Sequence, residues 1–151
     1  MVIGEGASTR VLEELEHAQA RGATIYAEIV GYASNSDGGH VTQPSHDTMA
    51  TAMQLALDDA ELPSSAIGYI NAHGSATERG HIAESTATYN VVGSNTAISS
   101  LKGTIGDALG ACGSIESWAS FNLPNDGNFY TTLNLLEPDE RCDKTVSLYG
   151  K

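Results

Sequence analysis

The segment Asn71 to Ser85, NAHGSATERGHIAES, holds His73, His81 and Glu84 within fifteen residues, and Lys102 and Asp107 follow it. An imidazole such as His73, placed before Gly74 at the end of an apolar run, can exchange a proton, donate a hydrogen bond, ligate a metal or simply shape a turn. His81 and Glu84 are three apart and share one face of any helix that carries them. With Asp107 they supply enough ligand atoms for a metal, yet their separation matches no dense ligand motif, so no metal is expected. A Ser/His/Asp hydrolase is also disfavoured, because no GxSxG elbow occurs. GTIGDALG lacks the Lys and Ser/Thr that follow the second glycine of a phosphate loop, and no cofactor is expected. Lys102 is one of only seven basic residues. Its position suits an ion pair with Glu84 or Asp107, with catalysis as the alternative. His17, His40 and His46 read as solvated.

These residues need elements to position them. Val11 to Arg21 is rich in helix formers and is followed by Gly22, which predicts a short helix with a left-handed cap. Ala23 to Tyr32 alternates β-branched and aromatic residues and predicts a strand. Ala33 to Ser45 has loop composition, after which Asp47 is expected to cap a helix with the stripe Met49, Met53, Ala56, Leu57 and Ala60, closed by Pro63. Ala66 to Ile70 predicts a strand delivering His73, Ile82 to Val92 a helix, and Ala97 to Ser100 a second strand delivering Lys102. Gly106 to Asn122 predicts a helix ended by Pro124, and Thr131 to Leu135 and Thr145 to Tyr149 are weaker strand candidates. This alternation gives an α/β class with at least partly parallel pairing. Gly103, Gly106, Gly110 and Gly113 recur every three or four residues. On one helix they would form a bare face for close packing between layers or against a partner, although Gly103 and Gly106 fit a loop equally well.

The length of 151 residues and a 40% hydrophobic content suit one domain, 1–151. The formal charge of -12 repels a nucleic-acid backbone or an anionic membrane, so neither is expected as a partner. It also disfavours contact with an acidic carrier protein, except through a local basic patch around Arg10, Arg21, Arg79 or Lys102. Cys112 and Cys142 lack CxxC spacing and predict no disulfide framework. MVIGEGASTR lacks the features of a secretion signal, so the expected setting is cytoplasmic.

Four stretches together resemble the β-ketoacyl-acyl carrier protein synthases, the condensing enzymes of fatty-acid and polyketide assembly with the thiolase fold. GEGASTRVLEELEHAQARGATIYAEIVGY is similar to the family's GEGAG...VLEELEHA..RGA.IYAEI.GY, and YINAHGSAT to YINAHGTST. SSLKGTIGDALGACGS resembles SSTKSMTGHLLGAAGA, and LNLLEPDERCD resembles the segment near IN..NPDPECD. The resemblance runs over nearly the whole chain. It implies a partial thiolase-like fold, roughly the C-terminal half of a ketosynthase: a layered sheet with a glycine-rich central helix.

In that family a cysteine carries the acyl chain as a thioester, and two histidines support decarboxylation of the malonyl extender and the enolate it leaves. The resemblance places His73 at the first histidine, Lys102 at the active-site lysine and Glu84 at the glutamate of the same network. An imidazole N–H aimed at a thioester oxygen is an oxyanion donor, worth about 3 kcal/mol when preorganised. Asp107 stands where the family has its second histidine, and an ionised carboxylate there repels the enolate and donates nothing. The family's nucleophilic cysteine lies in the first half of the fold, while this chain opens at Met1 inside GEGA and stops at SLYGK before the family's GFGG loop. Cys112 and Cys142 read as structural thiols. The expectation is a chain-length-factor-like subunit that covers and shapes the acyl tunnel of a complete ketosynthase and meets acyl carrier protein through that complex. The alternative is half of a split synthase in which His73 and Lys102 act.

Overall fold

The computed structural model describes residues 1–40, 42–123, 128–137, 139–142 and 146–147, the last two as backbone. The sheet is parallel and three-stranded, with strands β1 (Tyr69–Asn71), β2 (Ala97–Ser99) and β3 (Val146–Ser147) in that spatial order. Tyr69, Ile70 and Asn71 register with Ala97, Ile98 and Ser99, and Ala97 and Ile98 register with Val146 and Ser147. Parallel neighbours need a crossover. The helix Glu78–Val92 supplies it between β1 and β2, starting four residues earlier than its apolar periodicity predicts.

That helix packs against His46–Asp59. The predicted apolar stripe of the latter is turned inward, with Leu57 buried and Met49, Met53, Ala56 and Ala60 half-buried. Its cap is Ser45, whose side chain accepts from Thr48 N, and not Asp47. Asp47 instead lies in the first turn, where a negative charge meets the positive end of the helix dipole. The core between these layers is built from small side chains, including Ala83, Ala87 and Thr88 with Ile98 and Leu101. Small residues let helix and sheet backbones approach closely.

Labelled in chain order, the helices are α1 (Leu15–Ala20), α2 (His46–Asp59), α3 (Glu78–Val92), α4 (Lys102–Ile105) and α5 (Cys112–Phe121). The first is shorter than the composition of Val11 to Arg21 predicts, because residues 11–14 are not helical and Glu14 is extended; Gly22, at φ +67°, ends it as expected. Ala23 to Tyr32 is not a strand, since among the described residues no neighbouring chain offers it a ladder. It lies instead on α2. Tyr32 N donates to Asp59 Oδ2 at 2.9 Å, and a Cβ on Gly31 would stand 2.4 Å from Ala56 O. Thr131 to Leu135 is not an extended strand: Thr132 makes a single β-bridge, the chain turns at Leu133 and Asn134, and the Leu133 carbonyl sits over Gly103 at a distance that excludes a Cβ.

The single helix expected over Gly106 to Asn122 is broken. Gly106 takes φ +71°, a 3₁₀ turn covers Leu109–Ala111, and only then does α5 begin. The interruption lets the backbone at Asp107 bridge to Ile3: Asp107 N donates to Val2 O at 2.7 Å and Gly4 N to Asp107 O at 2.9 Å. The four glycines therefore do not share one helix face. Gly103 and Gly106 lie under crossing backbones, whereas Gly110 and Gly113 face open space.

Gly106→Ala forces a side chain into left-handed backbone and against Gly4, so it is expected to destabilise the fold by about 2 kcal/mol or more. Gly110→Ala meets nothing and should be neutral or slightly stabilising. Denaturant midpoints check this, and equal losses from the two substitutions would contradict the backbone crossing.

Candidate functional site

β1 ends at Asn71, whose Nδ2 donates to Glu116 O at 3.1 Å and Ser120 Oγ at 3.2 Å, tying the strand end to α5. Pairing continues for one residue, Ala72 N to Ser99 O at 2.8 Å, before the chain turns at His73–Gly74. Gly74 has φ +51° and no room for a Cβ against Ser100, which explains the glycine after the histidine. The turn is clamped from α3. The two Glu84 oxygens accept from His73 N at 2.7 Å and Gly74 N at 2.9 Å, so Glu84 positions the His73 backbone. Further along the loop, Ala76 N donates to His81 Nε2 at 3.3 Å. The His73 side chain itself is exposed at the sheet's carboxyl edge, where the sequence places it.

β2 delivers Lys102 one turn beyond the sheet. Lys102 is only 9% exposed, and its Nζ pairs with the Glu116 carboxylate of α5, not with Glu84 or Asp107 as its sequence position suggested. Burial pulls the ammonium toward neutrality, but the hydrogen bond and charge of Glu116 outweigh it and hold Lys102 above its ordinary value. The ammonium is thus a fixed, neutralised charge. Glu116 was missed in the sequence because its partner is fourteen residues away. Its signal is that it is the lone charged residue in CGSIESWASF.

Asp107 is buried, and its Oδ1 accepts from Leu109 N at 2.9 Å and from the Cys112 thiol at 3.1 Å. These donors, the thiol foremost, with smaller contributions from Lys102 and His73, outweigh burial and hold the carboxyl below the usual aspartate range. Burial and the same carboxylate push the Cys112 thiol up. Cys112 is a protonated donor to Asp107, which is the opposite of an activated nucleophile. Cys142 lies elsewhere, its carbonyl accepting from Ser85 Oγ at 3.0 Å, with its thiol also raised by burial.

A cavity of about 500 Å³ opens over this chemistry, with Lys102, Asp107, His81, Ser100 and Thr132 in its wall. Gly74 to Ala76 line it, whereas the His73 ring does not. The structure therefore brings Lys102, Asp107 and the loop after His73 together around one space, with Glu84 and Glu116 behind them as anchors. Such a site presents a carboxylate that accepts hydrogen bonds, and its one buried cation is already paired.

Residues 26–135 match the family model described as the beta-ketoacyl synthase C-terminal domain. The chain is 41% identical over 148 residues to 3-oxoacyl-[acyl-carrier-protein] synthase 2 of Vibrio harveyi, an alignment covering 94% of this chain and 36% of that protein. It thus spans about a third of the length of that relative. Among solved structures, a β-ketoacyl synthase from Burkholderia phymatum STM815 superposes with TM-score 0.88 at 52% identity, over 92% of this chain and 34% of the other. The ishigamide ketosynthase/chain length factor superposes with TM-score 0.83 at 33% identity, over 89% and 34%. The fold is accordingly a partial α/β thiolase-like fold, as the sequence resemblance implied.

Because the folded-state value of Asp107 lies below its ordinary 3.8, its contribution to stability is present above that pH and is lost as pH falls through the lower folded value. The gap in denaturant midpoint between the wild type and Asp107→Asn should be constant near neutrality and close in acid below about pH 4. A gap that widens in acid would contradict the ionised, hydrogen-bonded carboxylate.

Proposed function

The chain belongs to the β-ketoacyl synthase family, to which its match is the C-terminal domain, and from that premise we propose that it works as a non-catalytic, chain-length-factor-like subunit. It pairs with a complete β-ketoacyl synthase of type II fatty-acid or polyketide assembly, shapes the acyl tunnel of that enzyme, and meets acyl carrier protein through the complex. The observation that carries this reading is Asp107. Condensation in the resembled family needs a second imidazole to stabilise the enolate left by malonyl decarboxylation. At that position this chain holds a buried carboxylate, kept below its usual range by Leu109 N and the Cys112 thiol. A carboxylate there opposes the developing negative charge. One of the similar solved structures is a ketosynthase/chain length factor, the kind of pairing this reading proposes.

A second reading, a split synthase half in which His73 and Lys102 act, is supported by the Lys102–Glu116 pair and by the Glu84 clamp on the His73 backbone, both of which are formed.

Coexpression with candidate synthases, intact-mass measurement and a condensation assay separate the two. The subunit reading expects a stable complex whose turnover changes less than about twofold with His73→Ala. A loss of a hundredfold or more, the scale of a removed oxyanion donor, would favour the split enzyme. Absence of any complex would count against both.

A further inference from the structure

Asp107 and Cys112 are each only 6% exposed and lie five residues apart. On a continuous α-helix that spacing sets two side chains about 140° apart around the axis, out of each other's reach. The reversal at Gly106 and the 3₁₀ turn Leu109–Ala111 close the gap, and the Cys112 thiol donates to Asp107 Oδ1 at 3.1 Å. Leu109 N donates to the same oxygen at 2.9 Å. In the resembled stretch SSTKSMTGHLLGAAGA the corresponding positions hold histidine and alanine. Two departures from that stretch are therefore in direct contact, buried together in one turn of chain.

A buried carboxylate is costly unless donors occupy it. The charged groups nearby do not serve Asp107 in that way, because the Lys102 ammonium is taken by Glu116 and His73 is exposed and adds only a small attraction. The thiol does serve it, and burial together with the carboxylate keeps the proton on Cys112. With alanine at 112, Oδ1 would keep the backbone donor alone. With histidine at 107, a larger ring would press on Sγ where the resembled stretch has only a methyl group. Neither reversion suits this chain singly.

Resting on the reading of this chain as a non-catalytic subunit with an anionic cavity wall at Asp107, we infer that Cys112 is the positioning residue for that carboxylate, and that the exchanges at 107 and 112 form one unit in which the thiol makes the buried acid tenable. Cys112 reacts with nothing. It donates one hydrogen bond that alanine cannot give, and through that bond residue 112 sets the charge presented at the wall.

The S–H stretching band of Cys112, assigned in the infrared by its loss in Cys112→Ser, reads the bond directly in the full chain. It should move to higher wavenumber in Asp107→Ala, where the charged acceptor is gone. Denaturant midpoints supply the energetic side. Cys112→Ala should lower the midpoint at least about twice as much in the wild-type background as beside Asp107→Ala, and Asp107→His should be more stable with Cys112→Ala than without it. Cys112→Ser, which keeps a donor, should retain most of the stability that Cys112→Ala loses, and this comparison decides the matter even if Asp107→Ala fails to fold. A band that does not move, additive losses, or a serine variant no better than the alanine one overturns the inference and leaves the subunit reading standing. Failure of the wild type to bind any synthase, with the two positions still coupled, overturns the subunit reading and leaves the pairing of 107 and 112 intact.

Discussion

A backbone crossing governs this molecule: the chain reverses at Gly106 in left-handed geometry, directly against Gly4, and that reversal turns Asp107 inward. Without the turn, α4 and α5 would run as one helix and the 107 side chain would follow the helical period to another face. With it, the Asp107 carboxylate meets Leu109 N and the Cys112 thiol, the first turns of α5 are aimed so that Glu116 reaches Lys102, and the Val2–Gly4 segment is bridged to the site. Geometry and electrostatics are therefore coupled at one residue pair. A thiol that donates and a carboxylate that accepts hold each other in their resting protonation states.

The rest of the site divides into what is positioned and what does the positioning. Glu84 has both oxygens occupied by the amides of His73 and Gly74, and Glu116 neutralises the buried ammonium of Lys102. Both acids are scaffolding, and the cavity wall in front of them is left with Asp107 as its ionised acceptor. An ionised acceptor at that wall opposes the negative charge that develops on an enolate.

Local signals were legible wherever they were strong. The stripe of α2, the crossover helix before β2 and the strand leading to His73 all follow from periodicity and cap chemistry within a few residues. Long-range requirements were not. Ala23 to Tyr32 has strand composition, but composition does not supply a neighbour to pair with, and the segment settles on α2 through Gly31. The period through Gly106 to Asn122 is helical, yet it does not reveal that another backbone crosses at Gly4. Lys102 shows its importance in sequence by being rare, but its partner is set by where α5 passes. Ser45 and not Asp47 is the cap because the helix begins two residues earlier than a cap at Asp47 would place it, and either residue type can serve.

The claim on which all of this turns is the ionisation of Asp107, and a carbon-13 NMR titration of its carboxyl in the folded chain measures that directly. A midpoint below the ordinary 3.8 is the predicted result. A midpoint above neutrality would make Asp107 a proton donor, restore the chemistry of the missing imidazole, and contradict the non-catalytic role.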